Sequence, residues 1–376
     1  MTDISLYLHL PFCLRRCSYC SFVSFANREA DIHSYIEALV KEIALTCKKR
    51  QTVKTIYFGG GTPSLLPSEL VIKLLDQISR FYTIDALAEV TLEANPGTVD
   101  ATYLKRLRAA GINRLSLGLQ SLDDRELDLL GRSHSSYQVL QAVSQARDAG
   151  FNNLNLDLIY AIPGRQLSQW EKMLQRVLDL GAEHLSFYGL TIDKDTPMGA
   201  ACDRGEITQV DPDHAAAEYE NILTLLAATS YRQYEISNWA VPGAESRHNL
   251  IYWRRGEYRG LGTGAHSFID NYRLANTDEF DEYIRYLGID QCPAVTSEFI
   301  DSQAALAESI ILGLRINEGV NIKDIERQFK IDFFKRFNTE ISELTDFGLL
   351  EVKAGSLRLT DRGRLLGNEV FIRFLP

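Results

Sequence analysis

Short apolar runs alternate with longer amphipathic stretches over the first two-thirds of the chain. The apolar runs read as strands at Leu6–Leu10, Thr55–Phe58, Glu89–Ala94, Arg114–Leu119, Leu154–Ile159 and His184–Leu190. Between them, apolar positions at helical spacing predict helices over 34–49, 67–81, 100–110, 136–149 and 168–180. Three of these end in Ala110-Gly111, Ala149-Gly150 and Leu180-Gly181, which predicts left-handed glycine caps leading into the next strand. Six β-then-α units imply a parallel sheet with right-handed crossovers. They are too few to close an eight-stranded barrel. The expected architecture is therefore α/β, an open partial (βα)6 barrel of TIM type, with its chemistry at the carboxyl ends of the strands.

From about residue 297 the pattern changes. ALAESIILGLRI, NIKDIERQF and FFKRFNTEISELTDFG read as helices. LLEVKAGSLRLT reads as a hairpin around 354–356, followed by a helix from Asp361. Helices followed by a hairpin wing predict a winged-helix-like α+β domain over 297–376. The barrel is expected to occupy 1–235, with 236–296 as a connecting segment. The C-terminal part carries 11 Lys and Arg against 13 Asp and Glu, a net of −2. Phosphate neutralisation supplies much of the affinity of nucleic-acid modules, so a structural or partner-docking role is expected there.

Composition narrows the class. Apolar residues make up 45% and charged residues 24%, values of a globular enzyme with a substantial core. A formal net charge of −10 argues against a broad nucleic-acid footprint. No stretch reaches the roughly 20 apolar residues of a membrane span, and the N-terminus lacks a basic n-region. A cytoplasmic location is expected, where clustered cysteines act as metal ligands rather than as disulfides.

Such a cluster stands in PFCLRRCSYC, after the first strand, with thiols at Cys13, Cys17 and Cys20. Cys47 falls at helical spacing with Ile36, Val40 and Ile43 and reads as a buried small hydrophobe. Cys202 and Cys292 are isolated, in loop-like sequence. Structural zinc wants four ligands, and no second cysteine pair exists here; His9 is the one candidate for the fourth position. A four-iron four-sulfur cluster suits three closely spaced thiolates better and leaves one iron open for a small molecule. Arg15 and Arg16 can offset part of the negative charge. The other strand ends carry GGGTPS at 59–64, Glu93, Gln120, Asp157 and Tyr188-Gly189. Each alone reads equally as a tight turn or a helix cap; together they form one polar rim.

C-x3-C-x2-C after the first strand of a partial barrel, with an aromatic at Tyr19, resembles the radical S-adenosylmethionine (SAM) superfamily. There SAM chelates the open iron and is cleaved to methionine and a 5′-deoxyadenosyl radical. YLHLPFC, FGGGTPSLL, LEANPGT, INRLSLGLQS, LGR, NLDLIYAIPG, LSFYGLTI and HNLIYW follow one another as in the oxygen-independent coproporphyrinogen III oxidase family, over nearly the whole chain. The likeness is greatest to the HemW branch, described as haem chaperones. By matched position it implies SAM contacts at Tyr7, Tyr19, Gly60, Gly61, Thr62, Glu93, Gln120, Arg132 and Asp157. The glycine loop is expected to admit SAM closely for want of Cβ atoms. Glu93 and Asp157 are expected to accept hydrogen bonds, and Arg132 to pair with a carboxylate.

Two departures separate this chain from the dehydrogenase branch. That branch carries a fourth cysteine two positions after the third, where Phe22 stands here, and several dozen residues before the cluster, where this chain has 12. Both argue against coproporphyrinogen III dehydrogenase activity, which stays as the alternative; whether SAM is cleaved is left open. The resemblance implies haem bound at His248 of the HNxxYW segment, with Tyr252 and Trp253 against the porphyrin; His266 of GLGTGAHSF reads as an alternative ligand or as a SAM neighbour. It also implies a haem-acceptor protein, an electron donor of flavodoxin or ferredoxin type, and a monomer or homodimer.

Overall fold

The computed structural model describes residues 3–47 and 51–376. Six parallel strands run β1 (Asp3–Leu10), β2 (Thr52–Gly60), β3 (Thr83–Ala94), β4 (Arg114–Gln120), β5 (Leu154–Tyr160) and β6 (His184–Gly189). Helices at Ile32–Thr46, Ser68–Phe81, Ala101–Ala109, Ser136–Asp148 and Leu167–Asp179 connect them, close to the predicted ranges. Positions 48 and 49 of the first predicted helix lie outside the described residues. The three expected caps are left-handed, with φ of 107° at Gly111, 86° at Gly150 and 62° at Gly181. Asp100 and Ser135 close two helix starts by accepting from the backbone N–H of Tyr103 and Gln138.

Strands of a parallel sheet covered on both faces are usually apolar throughout, but these alternate. Leu6, Leu8 and Leu10, Ile56 and Phe58, Leu115, Leu117 and Leu119, and Leu154, Leu156 and Leu158 enter one core with the helices. The residues between them are polar, among them Tyr57, Glu93, Arg114, Ser116, Asn155, Asp157 and Ser186, and they line an internal cavity. The side-chain period of two along a strand thus gives the sheet an apolar outer face and a polar inner one.

The sheet continues past the six strands at both ends. Residues 232–299 add β7 (Arg232–Glu235), β8 (Asn238–Ala240), β9 (Tyr258–Leu261), β10 (His266–Ile269), β11 (Tyr272–Asn276) and β12 (Ala294–Phe299). The order is β12-β11-β10-β9-β1-β2-β3-β4-β5-β6-β8-β7, open at β12 and β7. Strand β9 pairs with β1 in parallel, from Ser5 opposite Tyr258 to Leu8 opposite Leu261, and is a seventh parallel strand. The segment expected to act as a connection therefore contributes strands β8 to β12 to the sheet.

Beyond Ile300, helices Ser302–Leu314, Ile322–Phe329 and Asn338–Asp346 pack on β13 (Val320–Asn321), β14 (Leu350–Lys353) and β15 (Ser356–Leu359) around their own apolar cluster. A two-residue turn, Ala354-Gly355 with both φ positive, joins β14 to β15 as the predicted wing. Cys47 ends the first helix half-buried, its thiol donating to the Phe81 carbonyl at 3.3 Å. Cys202 lies in a short helix, Pro197–Asp203, rather than in a loop.

Candidate functional site

The loop after β1 is held at both ends and in the middle. Phe12–Cys13 pairs in parallel with Phe25–Ala26, and Phe25 N–H donates to the Pro11 carbonyl at 2.7 Å. Between them, Ser18 donates from its backbone N–H to the Leu130 carbonyl at 3.1 Å and from its hydroxyl to that of Leu129 at 2.9 Å. Its own carbonyl accepts from Met198 N–H at 2.8 Å. The loop is thereby fixed over the carboxyl ends of the strands, where a cavity of about 470 Å³ opens.

Cys13, Cys17 and Cys20 all line this cavity, and among the described residues no group of side chains is placed to hold a single metal ion. Thr62 Oγ1 donates to Cys13 Sγ at 3.7 Å, and Arg132 Nη1 donates to Cys17 Sγ at 3.3 Å. Burial pushes the thiols of Cys13 and Cys20 up, and Arg16 works against this at Cys20. Thiols so placed ionise readily only with a cation or a metal beside them.

Tyr19, Gly60, Gly61, Thr62, Glu93, Gln120, Arg132 and Asp157 line the same cavity, as expected for one polar rim. Glu93 accepts from Tyr57 OH at 2.7 Å and from Gly60 N–H at 3.3 Å. Burial raises its carboxyl to about 7, and Asp157 adds to the rise. Asp157 accepts from Ser116 Oγ at 2.8 Å and from Asn155 Nδ2 at 2.9 Å, and burial raises it too. Arg132 also donates from Nη2 to the Gly118 carbonyl at 3.2 Å. Gln120 holds a φ of 59°, a conformation that costs a side-chain-bearing residue about 1 kcal/mol or more.

The chain's own packing also requires the glycines of this loop. A Cβ on Gly60 would come within 2.7 Å of the His9 ring, and one on Gly61 within 2.6 Å of the Phe12 carbonyl oxygen. The loop is glycine because the chain's own atoms crowd it.

Two predicted residues lie elsewhere. Tyr7 lines a second cavity, of about 540 Å³, and its hydroxyl shares a hydrogen bond with His9 Nδ1 at 3.1 Å. His248 lines neither cavity. It is 1% exposed, with Nδ1 2.7 Å from Thr55 Oγ1 and Nε2 2.8 Å from Tyr252 OH. Burial, then Arg114, lowers it to about 3. Both nitrogens are engaged within the fold, and the imidazole holds its helix against β2. Its neighbours in the segment diverge: Asn249 lines the first cavity, Tyr252 and Trp253 the second. Phe22 stands between the two, lining both.

Arg114, Tyr57, Ser116, Asn155 and Ser186 also form the first cavity, and the motifs alone did not single them out. Alternation within the strand runs carries the signal for Tyr57, Ser116, Asn155 and Ser186, each flanked by apolar residues, whereas Arg114 follows Asn113. Gln120 Oε1, Arg114 Nε and Arg132 Nε are buried there without hydrogen-bond partners among the described residues. Unpaired buried polar atoms are costly, and a ligand with amino, carboxylate and hydroxyl groups would satisfy them. The donor set and these orphaned atoms fit an iron–sulfur cluster with SAM beside it.

Residues 7–177 match the family described as the Radical SAM superfamily, and residues 300–366 match the HemN C-terminal domain. A protein of Bacillus subtilis named Heme chaperone HemW is 35% identical over 374 residues, covering 99% of this chain and 99% of that protein. Its namesake in Lactococcus lactis is 34% identical, covering 99% of this chain and 97% of that one. Radical S-adenosyl methionine domain-containing protein 1, mitochondrial, of Mus musculus is 34% identical, covering 100% and 88%. The solved structure of coproporphyrinogen III oxidase (HemN) from Escherichia coli superposes with a TM-score of 0.88 over 99% of this chain and 90% of that one. At 23% identity it shows the fold alone.

Proposed function

The chain belongs to the HemW family of radical SAM proteins, and from that premise we propose that it is a haem chaperone that binds haem and passes it to an acceptor protein. Cys13, Cys17 and Cys20 would hold a four-iron four-sulfur cluster, with SAM in the first cavity. The observation that carries this is the opening of all three thiols onto the cavity that Glu93, Gln120, Arg132 and Asp157 line. When bound, the cluster supplies one-electron chemistry to SAM.

The chain's own residues bind and orient. Arg132, tied to Cys17 Sγ and to the Gly118 carbonyl, presents a guanidinium next to the cluster loop for a carboxylate. Glu93 and Asp157, each fixed by two donors, offer acceptors for amino or hydroxyl groups. Near pH 7 Glu93 divides between its neutral and charged forms, so it can either accept or hold a proton. Phe22 moves no proton, which favours carriage over oxidative decarboxylation at this site. No helix among the described residues is long and apolar enough to cross a membrane, and clustered reduced thiols suit the cytoplasm. An electron donor of flavodoxin or ferredoxin type would serve the cluster.

Anaerobic reconstitution with iron and sulfide tests this reading. Wild type should load iron, bind haem and lose that haem to an apo-acceptor; Cys17→Ser should fall to background iron. Protoporphyrinogen formed from coproporphyrinogen III, SAM and reductant would overturn the chaperone in favour of the dehydrogenase.

A further inference from the structure

We infer that the second cavity is the haem site and that His266, not His248, is its axial ligand; this rests on the haem-carrier reading above. The cavity, of about 540 Å³, lies between the start of the sheet and helix Ser302–Leu314. Its size falls within the roughly 300–1,000 Å³ of pockets that enclose small ligands and cofactors.

The walls suit a flat, apolar ring carrying anionic arms. Tyr252, Trp253, Tyr258 and Phe268 supply aromatic surface, with Tyr252 and Tyr258 edge to face at 4.6 Å. Arg315 covers Trp253 at 4.5 Å from the ring centroid, and Trp253 Nε1 is buried without a partner. On another wall Arg255 and Arg273 share one carboxylate, Glu308, at 3.0 and 2.7 Å. Two guanidiniums against one carboxylate leave a net positive charge. The Arg255 side chain is 10% exposed, lies over Phe268 at 4.5 Å, and its Nη2 is buried and unpartnered. A propionate would complete that group, since guanidinium and carboxylate pair through charge-assisted hydrogen bonds.

Three imidazoles lie in or near this region, and two are already committed. His9 Nε2 is 2.8 Å from the Val23 carbonyl and its Nδ1 is bound to Tyr7, while His248 is engaged at both nitrogens. His266, exposed on β10 and lining the cavity, makes no side-chain hydrogen bond among the described residues. Its ring is free to present a lone pair to iron, as a proximal histidine does. Its place at the exposed margin is one from which a carrier can surrender its cargo. Phe22, shared by both cavities, would then separate the porphyrin from the cluster loop.

The test titrates the full-length protein with ferric protoporphyrin IX and with metal-free protoporphyrin IX. Against wild type, His266→Ala should lose the imidazole-ligated Soret position and weaken ferric binding by about tenfold or more, equivalent to about 1.4 kcal/mol. Metal-free binding should hold, and added imidazole should restore the Soret band. Leu312→Trp, which fills the cavity from the helix side, should weaken both ligands. An unchanged Soret band and affinity in His266→Ala would remove the ligand assignment, and unchanged binding in Leu312→Trp would remove the cavity. Either result leaves the carrier reading standing if wild type binds haem; failure of wild type to bind removes both.

Discussion

Arg114 is 1% exposed, and its guanidinium reaches the fields of Glu93, Asp157, His184 and His248. It lowers the two carboxyls against the burial that raises them, and together with burial it keeps both histidines neutral. A buried cation among carboxyls is costly to remove because its partners stay behind. Arg114→Met, similar in length but uncharged, should cost about 1–3 kcal/mol in chemical denaturation; a midpoint equal to wild type would show that the charge is dispensable. Single residues are legible in sequence when a motif marks them, as the cysteine triplet does. Arg114 sits inside a motif, INRLSLGLQS, yet its place in the cavity depends on the parity of its strand. Gly60 and Gly61 were legible as a loop, but only the crowding of His9 and Phe12 explains why no side chain fits.

Glu42 shows how elements are joined. From helix Ile32–Thr46 its carboxylate accepts from Gly262 N–H at 2.7 Å, Asn276 Nδ2 at 2.6 Å and Tyr283 OH at 2.6 Å. It thereby pins the turn after β9, the end of β11 and the helix Phe280–Gly288 onto the first crossover helix. Burial raises it to about 7 from an ordinary 4.5. A raised folded-state pKa means the folded protein holds this proton more tightly than the unfolded chain. Its contribution is therefore full below about pH 4.5 and lost as pH rises through 7. Wild type should accordingly be most stable relative to Glu42→Gln near pH 5, and that difference should shrink by pH 8 in denaturation at both pH values. A constant difference would mean that Glu42 does not titrate there. The strand it secures, YRGL at 258–261, was missed in sequence because four mixed residues carry no period. Its strand character comes from pairing with β1.

At the scale of the molecule, the C-terminal unit is fastened to the barrel by backbone and by charge. Ile236 N–H donates to the Arg315 carbonyl at 3.1 Å, Asn317 N–H to that of Tyr234 at 2.9 Å, and Arg315 stacks on Trp253. Glu235, pushed up to about 7 by burial, faces the Arg315 charge, which draws it back down. The cavity assigned to haem takes Tyr7 from β1, Trp253 from the intervening helix and Glu308 from the C-terminal helix. Arg315→Ala should therefore cost about 1–2 kcal/mol through the lost cation–π contact and speed hydrogen exchange in Ser302–Leu314. Unchanged exchange would show that the two units are held by other contacts.

What the sequence by itself determined was local. The two periods of its apolar positions specify six β-then-α units and a C-terminal group of helices with a hairpin wing, and the spacing of three cysteines marks the loop after the first strand as the proposed cluster loop. Tertiary structure decided what depends on distance between remote segments: the seventh parallel strand, the polar face shared by six strands, and the two cavities divided by Phe22. It also decided which histidine is spent and which is free, because an imidazole's availability is set by the neighbours that fill its two nitrogens. Thr55 lies 193 residues from His248, a separation that no local pattern spans.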